Sequence, residues 1–255
     1  MIFVAAGTQD GRELVDQLLA QNYPVAASVV SHYGRALLDR YPHSRLLINE
    51  QPLDQDGLSK YIRCHGIRLF VDASHPYAVN VSENAMSACQ EAGIPYVRYE
   101  RDLTQIDYSC TYVVHSYEEA AEMAERLGKR VFLTTGSRNL KAFVEALQRP
   151  ETEVTARVLP TQEVLGLCEQ VGLDPGHIVA MQGPFSKQLN EEMFSKCQAD
   201  VIVTKNSGSI GGTDTKLAAA KAAGLPIIII DRPVLAYPAV GQTYQQIMDF
   251  IKEQY

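Results

Sequence analysis

The sequence predicts an α/β protein of two Rossmann-like domains, with mainly parallel sheets and an interdomain cleft. Three observations lead there. Short β-branched runs of four to six residues alternate with amphipathic helical stretches along most of the chain. Mostly apolar strands separated by helices are the pattern of a parallel sheet buried on both faces. Helices stop at Gly and strands restart after Pro, as in Ala92-Gly93-Ile94-Pro95 and Ala223-Gly224-Leu225-Pro226. Gly supplies the left-handed position that ends a helix, and Pro keeps the helix from continuing. The eleven strands counted this way are more than one small doubly wound sheet holds.

The elements follow in order. Ile2–Ala5 has no basic segment ahead of it and reads as a strand rather than a signal peptide. A helix over Gly11–Gln21 leads to strands Val25–Val30 and Arg45–Ile48. Helix Asp54–His65, strand Leu69–Ala73, helix Val79–Ala92 and strand Tyr96–Tyr99 come next. Strand Thr111–Val114 and helix Glu118–Leu127 complete the first half. Gly128-Lys129 ends that helix and opens a fresh strand, so the expected domains are 1–127 and 128–255. The second half carries strands Val131–Thr134, Val154–Val158, Ile178–Met181, Val201–Thr204 and Ile227–Ile230, with helices Phe185–Cys197 and Asp214–Ala223.

Composition narrows the function classes. Hydrophobic residues make up 46% of the 255 positions, enough to build cores without staples. The 23 Lys and Arg against 30 Asp and Glu leave a net charge of −7. That sign argues against binding a nucleic-acid duplex, yet a few basic groups in one cleft can still hold a small anion. The most apolar late stretch, Ile227–Ile230, is far shorter than the ~20 residues of a membrane span. The five cysteines stand at least 21 positions apart, so no metal site is expected. They fit reduced thiols in a cytoplasmic protein. Oligomeric state is left open.

Ligands of open parallel sheets bind beyond the C-terminal ends of strands, which directs attention to the strand-to-helix turns. The first is Gly7-Thr8-Gln9-Asp10-Gly11-Arg12. Gly7 and Gly11 would let the backbone approach a pyrophosphate at a helix N-terminus, with Thr8 and Arg12 beside it. The other reading is a plain glycine turn capped by Asp10 and Glu13. After the second strand, Ser31 and Arg35 offer a hydroxyl and a cation where an NAD-binding fold places an acid, so NADPH is favoured over NADH. The fourth strand ends in Asp72-Ala73-Ser74-His75-Pro76, expected to touch cofactor or substrate, although capping alone would also explain it. Adjacent residues cannot form a hydrolase relay, so Asp72, Ser74 and His75 are no triad.

Thr134-Thr135-Gly136-Ser137 and Gln182-Gly183-Pro184-Phe185-Ser186 are glycine–hydroxyl turns of the second half, in which Thr135, Ser137 and Ser186 are candidate substrate contacts. The richest turn runs from Thr204 to Thr213. Lys205, Ser207, Gly208, Gly211 and Gly212, with Lys216 just beyond, make an anion cradle without the spacing of a nucleotide-triphosphate loop.

The motifs GTQDGR, VDASHPYA, TTGSRNL, MQGPFSKQLN and VTKNSGSIGG…KLAAAKAAGLPIIIIDRP, in this order from Met1 to about Pro233, resemble the precorrin-6A reductases of cobalamin biosynthesis and their cobalt-precorrin-6A counterparts. Ser74 stands where Thr is common, and Asn206 where an acid is often found. The resemblance implies NADPH-dependent reduction of the C18=C19 double bond of a tetrapyrrole. Hydride goes to C19 and a proton to C18, with no metal or flavin. Lys205 is then the candidate proton donor or carboxylate anchor. A regulator that binds NADPH without turnover would not need the Lys205 loop. A short-chain reductase would carry a Tyr-x-x-x-Lys pair, and Tyr112, Tyr117 and Tyr237 have no Lys four positions on.

Overall fold

The computed structural model describes residues 1–30, 32–39, 44–101, 103–208 and 211–255. The chain opens with β1 (Ile2–Ala5), α1 (Gln9–Ala20), β2 (Val25–Ser28), α2 (His32–Leu38) and β3 (Leu46–Asn49). It continues through α3 (Gln55–Cys64), β4 (Leu69–Asp72), α4 (Val79–Ala92) and β5 (Tyr96–Tyr99). Then come β6 (Thr111–Val114), α5 (Tyr117–Leu127), β7 (Arg130–Leu133), α6 (Leu140–Ala146), β8 (Glu153–Val158) and α7 (Gln162–Gln170). After β9 (Ile178–Ala180) follow α8 (Lys187–Lys196), β10 (Val201–Lys205), α9 (Thr213–Ala223), β11 (Ile227–Ile230), β12 (Val240–Gly241) and α10 (Tyr244–Gln254).

Among the described residues the strands form two sheets of six, ordered β3-β2-β1-β4-β5-β12 and β9-β8-β7-β10-β11-β6. Neighbouring strands are parallel throughout both. Each sheet runs outward from a central strand in both directions, the doubly wound arrangement of nucleotide-binding folds. Each is completed by a strand out of sequence. β12 reaches β5 from the far end of the chain, and β6, which precedes β7, flanks β11.

The two compact units are therefore Met1–Asp102 with Pro233–Tyr255, and Leu103–Arg232. This corrects the expected division at 127/128. Thr111 pairs in register with Ile227, which puts β6 and α5 in the second unit, and Val240 pairs with Arg98, which puts the C-terminal segment in the first. Gly128 marks a close approach inside the second unit rather than a boundary. A Cβ there would lie 2.3 Å from Cβ of Asp200. The Asp200 carboxylate meanwhile accepts from the amides of Lys129 and Arg130 at 3.1 and 2.9 Å.

Alternate residues of each central strand face opposite layers. Ile2 and Val4 pack under α1 and α10, while Phe3 and Ala5 pack under α3 and α4. In β11, Ile228 and Ile230 face α5 and α6, and Ile227 and Ile229 face α8 and α9. Burying each such side chain contributes about 1.5–3 kcal/mol, so both sheets are firm platforms for the turns above them. Gly93 (φ 66°) and Gly224 (φ 65°) end α4 and α9 in the left-handed conformation, as expected. Among the described residues no helix is long and apolar enough to cross a membrane.

Candidate active site

In the first unit the strand order reverses between β1 and β4, which brings the turns after these strands side by side. The Thr8 hydroxyl donates to the Ala73 carbonyl at 2.7 Å and accepts from the Gly11 amide at 3.1 Å. Thr8 is thus the N-cap of α1, and the capping pair considered for Asp10 and Glu13 does not form. Asp10 is buried and ion-paired with Arg101 at 2.6 Å. Burial pushes its carboxyl above the usual range, against the opposing pull of Arg101. Glu13 accepts instead from Gln9 and from the Tyr244 hydroxyl.

Gly7 is exposed, and a Cβ on it would meet nothing within 4 Å. There is open space in front of the α1 N-terminus, where backbone amides and the helix dipole favour an anion. Arg12, half-buried in the first turn, makes no ion pair among the described residues. These features fit the diphosphate of a nicotinamide dinucleotide. Gly11 lets the first turn of α1 lie against the end of β1.

Asp72 and Ser74 need the larger correction. Asp72 is fully enclosed, and its carboxylate accepts from the Ser74 amide (3.0 Å), the Ser82 hydroxyl (2.6 Å), the Tyr96 hydroxyl (2.7 Å) and Arg98 Nη1 (2.9 Å). Burial alone would raise its pKa, but Arg98 and these hydrogen bonds outweigh it and hold the carboxyl below its usual range. Ser74 Oγ accepts a further bond from Arg98 Nη1 at 3.0 Å. Both side chains face inward and set the shape of the turn, leaving no free carboxylate for a ligand. His75 is exposed, and its Nδ1 accepts from the Tyr77 amide at 3.3 Å. Ser31 lies outside the described residues. Arg35 is already engaged, with Nε 3.0 Å from Asp39 and Nη1 bonded to Glu50.

The second unit repeats the arrangement between β7 and β10. Thr134 donates its amide and hydroxyl to the Val203 carbonyl, at 2.8 and 2.9 Å, which joins the Thr135–Ser137 turn to the Lys205 loop. Thr135 is buried, and among the described residues neither its hydroxyl nor the enclosed Tyr117 hydroxyl completes a hydrogen bond. Ser137 is half-buried and, with Arg138, lines a groove of about 940 Å³ along α7. Ser186 caps α8 by accepting from the Leu189 amide at 3.1 Å and is exposed.

The loop after β10 is pinned from within. Thr213 Oγ1 donates to the Lys205 carbonyl and accepts from the Ser207 amide, both at 3.0 Å. Gly208 (φ 75°) and Gly212 (φ 68°) adopt the left-handed region, and a Cβ on Gly211 would fall 2.3 Å from Cβ of Ser207. Asn206 accepts from the Thr104 amide at 3.1 Å and donates to its carbonyl at 3.3 Å, a double contact that needs an amide rather than an acid.

Lys205 is half-buried, with Nζ 5.9 Å from the centre of the Tyr117 ring. Burial, with help from the Arg138 charge, lowers it to about 8. Lys216 is almost enclosed and donates to the Gly211 carbonyl at 2.9 Å. Burial, then Arg157 and Lys205, lowers it to about 7, against a smaller opposing pull from Asp214. The sequence reading missed Arg157. A cation between Ala156 and Val158, in a strand flanked by apolar positions, was the available signal.

Two doubly wound sheets, each with glycine turns above its central strands and a cationic loop on the second, define a two-unit Rossmann-like class of enzyme. The chain belongs to the precorrin-6x reductase family: residues 1–252 match the family model described as "Precorrin-6x reductase CbiJ/CobK". It is 37% identical over 255 residues to a cobalt-precorrin-6A reductase of Priestia megaterium, covering all of this chain and 99% of that one. It is also 37% identical over 234 residues to a cobalt-precorrin-6A reductase of Salmonella typhimurium, covering 91% and 87%. The solved structure "CobK precorrin-6A reductase" superposes with a TM-score of 0.77 at 25% identity, covering 99% of this chain and 96% of that one. The sequence resemblance is confirmed at the level of family and fold.

Proposed function

We propose that this protein reduces the C18=C19 double bond of precorrin-6A or cobalt-precorrin-6A, with NADPH as reductant. The observation that carries the reading is the family match over residues 1–252. The nicotinamide supplies a hydride for C19, and a proton completes the reduction at C18, so substrate and a proton become product as the cofactor is oxidised. The protein's share is to bind, orient and manage charge. Gly7 and the α1 N-terminus receive the diphosphate, with Arg12 beside it. His75 borders the same turn. Thr8, Gly11, Asp72 and Ser74 keep that turn in shape. Lys205, with a pKa near 8, is suited either to deliver the proton or to hold a substrate carboxylate.

One observation favours a second cofactor, NADH. Asp39 and Glu50 already neutralise Arg35, the group expected to take the 2′-phosphate, which would have to displace or share them. Anaerobic incubation with each macrocycle and each cofactor tests the proposal. The expected result is stoichiometric cofactor oxidation and a product two hydrogens heavier. Cofactor oxidation that proceeds without a macrocycle, or a product of unchanged mass, contradicts it.

A further inference from the structure

Arg157 and Lys216 are 6% and 7% exposed, and among the described residues neither bonds to a carboxylate. Arg157 projects from β8 toward α8, where Nη1 donates to Asn190 Oδ1 at 2.7 Å and lies 3.7 Å from Met193 Sδ. Its guanidinium stacks 4.0 Å from the centre of the Phe185 ring and 5.9 Å from that of Phe132. Each of these partners is neutral. Lys216 is held by one carbonyl, that of Gly211, and the nearby Asp214 is exposed and makes no ion pair with it among the described residues. Phe132, Phe185 and Met193, which surround the guanidinium, pack in one cluster with Leu217, the residue after Lys216, and the Arg157 and Lys205 charges both lower the lysine pKa. Burial lowers Arg157 to about 10, which still leaves it charged near neutrality.

A buried cation without a counter-charge is costly, and removing it in favour of an apolar side chain is often neutral or stabilising. Two such groups kept together, one fixed between an amide and an aromatic ring, make a preformed receptor for an anion. The planar guanidinium matches a carboxylate in particular. We infer that Arg157 and Lys216 form a carboxylate-binding subsite that anchors a peripheral acid group of the tetrapyrrole, with Asn190 and Phe185 as positioning residues for the guanidinium. This inference rests on the reductase reading for the identity of the ligand, though not for its charge.

The test uses the full chain and two soluble probes, uroporphyrin with its eight carboxylates and a tetracationic N-methylpyridyl porphyrin. Binding is followed by fluorescence, and stability by the thermal midpoint. Wild type should bind the octa-acid and not the cationic macrocycle. Arg157→Met and Lys216→Met should each weaken octa-acid binding about ten- to a hundredfold, the range expected for one charge-assisted contact. The Lys216→Met midpoint should stay level or rise, because a buried charge without a counter-charge is lost, whereas Arg157→Met also leaves the buried Asn190 Oδ1 without its donor, which offsets that gain. Lys221→Met, at an exposed lysine paired with Asp107, should change neither property. Wild type that ignores the octa-acid, or variants that bind it as wild type does while melting lower, overturns the subsite. Octa-acid binding lost in both variants, in a protein that turns over neither macrocycle, would keep the subsite and overturn the reductase reading.

Discussion

A Cβ placed on Gly11 would lie 2.8 Å from Cα of Ala6 and 3.2 Å from the Ala5 carbonyl oxygen. The first turn of α1 therefore rests directly on the end of β1, and only glycine permits that approach. Gly7, four residues earlier, has no such neighbour. Gly11→Ala should cost about 1–3 kcal/mol in overpacking, seen as a lower denaturation midpoint. Gly7→Ala should fold like wild type and bind cofactor more weakly, because its added methyl occupies the space offered to the diphosphate. Unchanged cofactor affinity in Gly7→Ala, by titration calorimetry, would remove this turn from the site.

Asp72 and Arg98 should matter for stability before chemistry. Asp72→Asn breaks a buried ion pair and leaves the Arg98 guanidinium with Glu100 as its remaining carboxylate partner, a change that costs up to about 3–5 kcal/mol. The carboxyl is held below its ordinary value of 3.8, so its contribution is complete above that pH and is lost as acid protonates it. A denaturant series at falling pH should show wild type losing its advantage over Asp72→Asn below about pH 4. A constant gap between the two proteins across that range would contradict this account.

Much of this architecture was legible in the chain. Strands β1, β5, β6 and β11 fall at the expected bounds, and in β1 and β11 burial on both faces leaves no polar position. β2 stops at Ser28 although Val29 and Val30 continue the apolar run; pairing fixes the end, and Val30 is 62% exposed. β12 could not be read, since its two residues, Val240 and Gly241, owe their strand state to Arg98 and Tyr99 of a distant segment. The domain boundary failed for the same reason. At the site, the turns were visible as glycine and hydroxyl clusters, but the direction of each side chain was not. Asp72 and Thr8 point into the protein through partners remote in sequence.

Cofactor choice turns on Arg35. If it holds a 2′-phosphate, Arg35→Ala should weaken NADPH binding far more than NADH binding, and Glu50→Gln should strengthen NADPH binding by releasing the guanidinium. Equal losses for the two cofactors in Arg35→Ala would show that Arg35 serves only its carboxylates, Asp39 and Glu50.

Lys205→Met keeps length and removes charge. As proton donor, Lys205 should supply about 10²–10⁴ in rate, so kcat falls in the variant; as anchor, its loss raises KM instead. With a pKa near 8 the ammonium is lost above that pH. A donor role therefore predicts a wild-type kcat that declines as pH rises through about 8, and a variant profile without that limb. Wild-type kcat and KM in the folded variant would exclude both roles.

Hydride delivery to one carbon of the macrocycle can be followed directly. The direct measurement is anaerobic turnover with a nicotinamide cofactor doubly deuterated at C4, followed by mass spectrometry and NMR of the product. A single deuterium at C19 and an unlabelled solvent hydrogen at C18 are expected. A product without deuterium, or with deuterium at any other carbon, would contradict this delivery.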